Sequence, residues 1–576
     1  MKFGVSQAVT RKEDDAFIRG HGRYVADLVP PDACRAVLLR SPHAHARVNR
    51  IDAGAARAMP GVRLVLTAAD TTDLGPLPCF GIPPGVTVEA RESPILAGDI
   101  VRHVGDAVAF IVADTLDQAR DAAEAIEVDW ESLPHIVDAV AALEPGAPRV
   151  WTDRADNLAF EQMLGDEAST AAAFAQAAQT VALTLVNQRL VTNYLDTRAV
   201  LAEYDAASES ITLTLGSQGS HTLKKVLAKA ILHMPADRLH VVTPDVGGGF
   251  GTKIFPYREY ALCAVAARQL GRPVAWVADR MEHFVADTQG RDNVTTAKLA
   301  LDDKGRFLAL SVDTVCDMGA YLSFFAPYIP YVGAGMLPGV YDIPTCCIRI
   351  RAAYTNTVPV DAYRGAGRPE AAYVIERLVD AAARDLAIAP DMLRKRNFIK
   401  PQAMPYRTAT GKVYDSGEFA GHMARAQEIA DWKGFNRRLA LSKKTGKLRG
   451  IGLATYIEAC GAVGPETAKL TLDKDGVVTV LIGSQSTGQG HHTAYAQLIA
   501  EQLDVEPEQV RVVQGDTRLI ASGAGTGGSS SIPCGGVATA GAAKRLADNL
   551  KDIAADALEA SVADIEFAGG QVRIAG

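Results

Sequence analysis

The chain lacks the apolar stretch of a secretory leader: its start, MKFGVSQAVTRKEDDAF, is interrupted by charge throughout, so export by that route is not expected. Long hydrophobic runs are missing too. The longest near the N-terminus, AVAFIVA at 107–113, is far short of the roughly 20 residues that cross a bilayer and reads as a buried strand. A cytoplasmic protein with no membrane partner is expected. Basic charge is not in excess either. With 59 Lys and Arg against 67 Asp and Glu the formal charge is −8, and no Lys/Arg block stands out, which argues against a nucleic-acid surface. Eight cysteines, at 34, 79, 263, 316, 346, 347, 460 and 534, form no C-x-x-C pair. That excludes the spacing of an iron–sulfur cluster or structural zinc site and favours reduced, buried thiols. The close histidine pairs are His43 with His45 and His491 with His492. The first reads as solvated imidazoles at a strand end, the second as capping and packing at a helix start as readily as ligation. No serine sits in a G-x-S-x-G nucleophile elbow.

What the chain does have is glycine, in four loops placed beside predicted helix starts: VGGGFGTK (246–253), AYRGAGRPEA (362–371), GSQSTGQGHHT (483–493) and GAGTGGSSS (523–531). Three follow β-branched runs, LHVVTPD, IRIRAAYTN and VVTVLIG. Glycine lets backbone approach a ligand closely, and a helix start offers unpaired N–H groups suited to oxyanions and phosphates. Four such loops point to a large, oxygen-rich ligand wrapped by distant parts of the chain. GAGTGG at 523–528 fits G-x-G-x-x-G, but a serine run, a proline and a helix follow it instead of a second strand with its acidic residue, so a Rossmann site is a poor reading. VGGGFGTK lacks P-loop spacing.

The 576 residues allow roughly four domains. Residues 1–145 alternate short strand patterns with one helix, LDQARDAAEAI. The proline- and glycine-bearing 143–157 reads as a linker. A second region, 158–400, carries the first two loops and ends in EAAYVIERLVDAAARDLAI, whose Ile375, Leu378, Val379, Ala382 and Leu386 share one helical face. A third, 420–576, repeats the strand–loop–helix scheme. Without a regular βαβ rhythm the class is α+β. Gln218 in GSQGSH and Gln489 in TGQGHH are amides flanked by glycine, and Arg364 is a natural phosphate or carboxylate partner. Each could equally be a loop tie.

Together and in this order the four loops resemble the molybdenum-binding large subunit of the xanthine dehydrogenase/aldehyde oxidase/CO dehydrogenase family. GRYVADL, SPHAHARV and VRHVGDAVAFIVADT resemble its N-terminal α/β hammerhead domain. The resemblance implies a hammerhead domain (1–145), a first molybdopterin-cofactor-binding domain (158–400) and an incomplete second one (420–576). It also explains the missing metal ligands, since a pterin dithiolene holds molybdenum in this family. By motif position Gln218, Phe250 and Gly251 resemble groups beside the molybdenum's oxygen ligands, with Gly249 in the same loop. Arg364, Gly365 and Ala366 resemble an active-site and cofactor contact. Gly488, Gln489, Gly490, Gly527, Gly528, Ser529 and Ser531 resemble the cradle of the pterin and its phosphates. Implied as well are the molybdopterin cytosine dinucleotide, and an iron–sulfur subunit with [2Fe-2S] and an FAD subunit as electron-transfer partners. The implied reaction is oxidative hydroxylation of an aldehyde or N-heterocycle. Gly365 stands where a CO dehydrogenase has its copper-binding cysteine. Ile254 and Ala366 stand where purine-oxidising members have glutamate and phenylalanine. The family's GVGE-type glutamate, its catalytic base, resembles nothing before residue 576. A further C-terminal molybdenum-domain polypeptide is therefore an expected partner, and a non-catalytic cofactor-binding or assembly subunit is the alternative.

Overall fold

The computed structural model describes residues 3–461 and 464–575. Two large sheets and two three-stranded ones carry the architecture, which is α+β as the mixed patterns predict; one of the small sheets orders Ile100–Val101, Ala46–Asp52 and Glu127–Ser132. The first sheet has seven strands in the order Leu239–Val242, Ser210–Leu215, Ala199–Asp205, Val274–Val277, Cys34–Arg40, Ala107–Ala113 and Val62–Thr67. Its middle joint is a parallel pairing of Cys34–Arg40 with Val274–Val277. Strands from the first and second sequence regions thus share one sheet, and the linker at 143–157 does not separate two cores. The run AVAFIVA is entirely buried within it, as its lack of alternation requires. Helix α1, Arg258–Leu270, covers this sheet with ten consecutive buried residues and ends on Gly271 at φ +60°, a left-handed stop.

The second sheet orders Leu158–Gly165, Thr345–Tyr354, Phe307–Gly319, Asn293–Leu301 and Gln179–Asn187. Helix α2, Arg368–Asp385, packs on it, opening with proline in its first turn after Gly367. Of its predicted face, Ile375, Leu378, Val379 and Ala382 are buried and Leu386 is half-buried at the C-cap. The third sheet has three strands, Ala468–Leu472, Val478–Ile482 and Val510–Val513, packed with α3, His491–Leu503, and α4, Val537–Ala557. The stretch 397–419 is a connection with two short paired strands. Helices at Phe419–Ile429 and Phe435–Lys444 follow it; they bury little beyond Met423 and Ser442, and their weak apolar pattern explains why periodicity did not announce them.

Candidate cofactor and active site

The strand Leu239–Val242 delivers the chain into the first glycine loop at the sheet's edge. Phe250 and Gly251 sit at φ +50° and +112°, then a single 3₁₀ turn, Thr252–Ile254, follows. Helix α1 starts only at Arg258, so this loop presents its own amides, not a helix end. Gln218 arrives from the neighbouring strand Ser210–Leu215. Its backbone N–H donates to Lys253 (3.0 Å), and its side-chain Oε1 accepts from the Gly251 amide (2.8 Å). Its Nε2 donates to the Thr526 carbonyl (3.0 Å), while the Thr526 amide donates to the Gln218 carbonyl (2.6 Å). One buried side chain therefore ties the first loop to the fourth, with one amide hydrogen left over. Gly249 lies directly behind it: a Cβ there would stand 2.5 Å from Gln218 Oε1.

The second loop meets the first face to face. The Arg364 amide donates to the Phe250 carbonyl (2.8 Å), and the Arg364 guanidinium lies 5.6 Å from the centre of the Phe250 ring. Gly365, Ala366 and Gly367 all have positive φ, which the two glycines adopt freely and which strains Ala366, as is found at ligand sites. In the third loop Gln489 Oε1 accepts from the Thr487 amide (2.6 Å), and its Nε2 donates to Thr526 Oγ1 (3.1 Å). In the fourth, the Ser531 hydroxyl is hydrogen-bonded with Thr526 Oγ1. Among the described residues the amides of Gly527, Gly528 and Ser529 have no acceptor.

All four loops open into one cavity of about 1380 Å³, larger than the ~300–1,000 Å³ of a drug-sized site. Gln218, Phe250, Gly251, Arg364, Gly365, Ala366, Gly488, Gln489, Gly527, Gly528, Ser529 and Ser531 line it. Gly249 and Gly490 are not among the lining residues. Gly249 backs Gln218, and Gly490 is the N-cap of α3.

The start of α3 is already occupied. Glu13, nearly 480 residues away, places its carboxylate there and accepts from the amides of His492 (3.1 Å) and Thr493 (3.4 Å) and from the Thr493 hydroxyl. The expected oxyanion site at this helix start is thus filled by the chain's own carboxylate. Around it the N-terminal segment forms a strap. Phe3 enters the third core, Lys12 Nζ donates to the carbonyls of Pro507 and Val510 (both 2.6 Å), and Arg11 donates to the Gly488 carbonyl (2.8 Å) while lining the cavity. Half-burial alone would raise the Glu13 pKa, but the hydrogen bonds from Thr493 outweigh it and the net shift is downward. A depressed folded pKa means that this stabilisation is fully present above the ordinary glutamate value of about 4.3 and is lost as pH falls through the lower native one. Glu13→Ala is expected to cost about 1–2 kcal/mol at pH 7, the worth of a charged N-terminal cap. It should also speed amide exchange at 491–493. An unchanged melting temperature together with unchanged exchange would refute the strap.

Of the remaining titratable groups, the His43–His45 pair differs from its sequence reading. His45 is buried, not solvated. Its Nδ1 meets the Pro134 carbonyl (2.7 Å), and burial pulls its pKa down. His43 packs on Trp130, with ring centres 5.4 Å apart. His491 is buried against Tyr495 and its pKa is pushed down to about 4, chiefly by burial; His492 pairs with Gln514 (2.9 Å). Neither lines the cavity. Cys34, Cys263, Cys316 and Cys346 are buried and Cys460 is exposed; burial pushes the Cys316 thiol up to about 12. Glu259 is sealed between Arg198 (3.0 Å) and Arg40 (2.7 Å). Burial works to raise its pKa, yet the two guanidiniums hold it at about 2. Glu370 pairs with Arg291 (3.0 Å), and Asp516 caps a turn through the Arg518 amide (2.7 Å).

Sequence reasoning missed Lys253 and Asp196. The Lys253 ammonium is fully buried and donates to the Asp196 carboxylate (2.8 Å) and carbonyl (2.6 Å). It lies 4.5 Å from the centre of the Tyr194 ring. Burial lowers its pKa against the pull of Asp196. Asp196 also accepts from the Gly247 amide (3.0 Å), so the pair anchors the first loop from below. The one available signal was a lysine in the otherwise uncharged run VGGGFGTKIFPY.

Comparison with known proteins agrees with this geometry. Residues 19–134 match the aldehyde oxidase and xanthine dehydrogenase a/b hammerhead domain, and residues 150–398 and 425–576 match molybdopterin cofactor-binding domains. The carbon monoxide dehydrogenase large chain of Hydrogenophaga pseudoflava is 34% identical, over 100% of this chain and 74% of that one. The nicotine 6-hydroxylase large subunit of Paenarthrobacter nicotinovorans is 31% identical, over 99% and 71%. The crystal structure of quinoline 2-oxidoreductase from Pseudomonas putida 86 superposes with a TM-score of 0.92 at 32% identity, covering 100% of this chain and 74% of that one.

Proposed function

Because the chain belongs to the molybdopterin-binding family of xanthine dehydrogenase, aldehyde oxidase and CO dehydrogenase large subunits, we propose that its four-loop cavity holds a molybdopterin cytosine dinucleotide and oxidises an aldehyde or N-heterocycle. The observation that carries this reading is the convergence of all four loops on one space. The donor chemistry fits: unspent amides at 527–529 suit phosphate oxygens. In this family a pterin dithiolene holds the metal, and family membership implies the same here; among the described residues no group of three or more His, Cys, Asp or Glu could hold one. When bound, the cofactor supplies two-electron oxidation and oxygen insertion.

The chain's own work is holding, orienting and excluding water. Gly488, Gln489, Gly527, Gly528, Ser529 and Ser531 grip the pterin and phosphates. The spare Gln218 amide hydrogen and the strained Phe250–Gly251 backbone would offer donors to the metal's oxygen ligands. Arg364, stacked toward Phe250, offers a fixed cation to a polarised substrate oxygen or nitrogen. Phe250 and Leu195, both exposed into the cavity, narrow the space a substrate must enter. Electrons leave to separate iron–sulfur and FAD subunits. The test is to purify the chain with such subunits and measure molybdenum and the nucleotide released by acid. CMP stoichiometric with molybdenum, and dye reduction by an aldehyde or N-heterocycle, is expected; a chain free of molybdenum would sink the reading.

The complex is not expected to oxidise CO. Copper beside molybdenum needs a thiolate, and Gly365 has none. Cys346 and Cys347 lie on the strand Thr345–Tyr354 and do not line the cavity. Cys460 does line it, so the assay includes Cys460→Ser. Copper stoichiometric with molybdenum, with CO-dependent dye reduction, would overturn this expectation.

A further inference from the structure

The second loop touches the cavity with one side and an arginine with the other. Arg291 Nη1 donates to the Tyr363 carbonyl (3.0 Å), and Nη2 donates to the Arg364 carbonyl (2.6 Å). Nη1 also reaches Glu370 Oε1 (3.0 Å). The guanidinium lies 4.7 Å from the centre of the Tyr363 ring. A planar fork that takes two successive carbonyls, a carboxylate and an aromatic face has its orientation fully determined, which an ammonium could not reproduce.

Its own base is equally fixed. Arg291 and Asp292 both sit at positive φ, +66° and +71°, immediately before the strand Asn293–Leu301. Arg189 holds Asp292 (2.6 Å), Gln289 (3.0 Å) and the Val358 carbonyl (2.7 Å). A Cβ on Gly290 would stand 2.4 Å from Tyr363 Cβ, so the Gly290–Asp292 segment and the second loop are in direct contact. In front, Phe250 accepts from the Arg364 amide. The Tyr363–Arg364 peptide is clamped between the first loop and Arg291. Glu370 contributes from the first turn of α2: its Oε1 neutralises Arg291, while its Oε2 is buried without a partner beside a small cavity of about 50 Å³ that Arg291, Thr295 and Cys316 also line.

We propose that Arg291, neutralised by Glu370, is a positioning residue that sets the Tyr363–Arg364–Gly365 backbone against the molybdenum end of the cofactor. This rests on the proposed function, and its test separates the two. Arg291→Lys keeps the charge and loses the fork; Arg291→Ala loses both; Glu370→Gln keeps the shape and removes the counter-charge. Each is measured in the complete complex by molybdenum content, melting temperature, amide exchange at 362–367 and the Mo(V) EPR signal after dithionite reduction.

Arg291→Lys is expected to retain molybdenum and to melt near wild type. Its loop amides should exchange faster, its Mo(V) signal should shift, and turnover should fall by about 10²-fold with little change in KM, the cost of roughly 1 Å of misplacement. Glu370→Gln should shift the signal in the same direction but less. Should Arg291→Ala fail to fold, the lysine variant carries the test. An unchanged Mo(V) signal and unchanged kcat in Arg291→Lys at full molybdenum content would overturn the proposal. Wild-type complex without molybdenum would instead overturn the proposed function, and faster exchange at 362–367 in the variants would still report the clamp.

Discussion

Gly249→Val is expected to strip the protein of its cofactor while leaving it folded. The reason is a contact the structure makes explicit: a Cβ at 249 would stand 2.5 Å from Gln218 Oε1 and 3.0 Å from its Cδ. The side chain must swing away, and it then loses both the Gly251 amide and the Thr526 carbonyl. Those are two of the four bonds by which Gln218 links the first loop to the fourth; only its backbone bonds with Lys253 and Thr526 remain. The overpacking itself costs about 1–3 kcal/mol, a small fraction of the cohesion of the packed sheets. Molybdenum content after co-expression should fall at least about tenfold, the equivalent of 1.4 kcal/mol or more of lost binding, with the melting temperature lowered by only a few degrees. The cause is checked by removing the obstacle. In a Gln218→Ala background, Gly249→Val should add nothing further to the loss of molybdenum, since coupled neighbours are not additive. Unchanged molybdenum in the single variant would show that the Gln218 side chain does not tie the first loop to the fourth.

The loops were legible because glycine clusters after β-branched runs are local signals, and local signals survive in a sequence. Motif alone marks Phe250, Gly251, Gly488 and Ser529, and all four line the cavity. What the sequence hid was whatever depends on partners far along the chain. Glu13 is an ordinary acidic residue in a charged N-terminus, and nothing near it announces a helix start almost 480 positions later. Once it is there, the end of α3 has no positive pole left to offer a phosphate. Lys253 and Asp196 were missed for the same reason: each looks solvated until the fold buries the ammonium completely. His45 erred in the opposite direction, an imidazole read as exposed that the fold covers. The sheet that joins Cys34–Arg40 to Val274–Val277 shows the limit for domain boundaries. Composition marks a linker at 143–157, but strand pairing ignores it.

Turnover by this chain is expected to depend on a carboxylate that the described residues do not offer. Hydroxylation needs a proton removed beside the metal, and a positioned base contributes about 10²–10⁴-fold to such a step. Glu259, Glu370 and Asp516 are the carboxylates nearest the loop motifs in sequence, and the structure favours none of them as a base. Two guanidiniums hold Glu259 ionised at about 2, so it accepts a proton poorly, and it does not line the four-loop cavity. Glu370 faces Arg291 on the far side of the second loop, and Asp516 is spent on a turn. Asp196 does line the cavity, but it is bonded to the buried Lys253 ammonium and the Gly247 amide, and protonating it would release the first loop. The cofactor-loaded chain with its electron-transfer subunits should therefore turn over aldehydes or N-heterocycles about 10²–10⁴-fold more slowly than the same complex supplied with a polypeptide bearing a GVGE-type glutamate. Asp196→Asn serves as the internal control. It should lose molybdenum by freeing the loop, instead of losing rate at full molybdenum content as a base would. Full activity without the added polypeptide would overturn the missing-base argument. No activity with it, at full molybdenum content, would favour a subunit that binds or delivers the cofactor without using it.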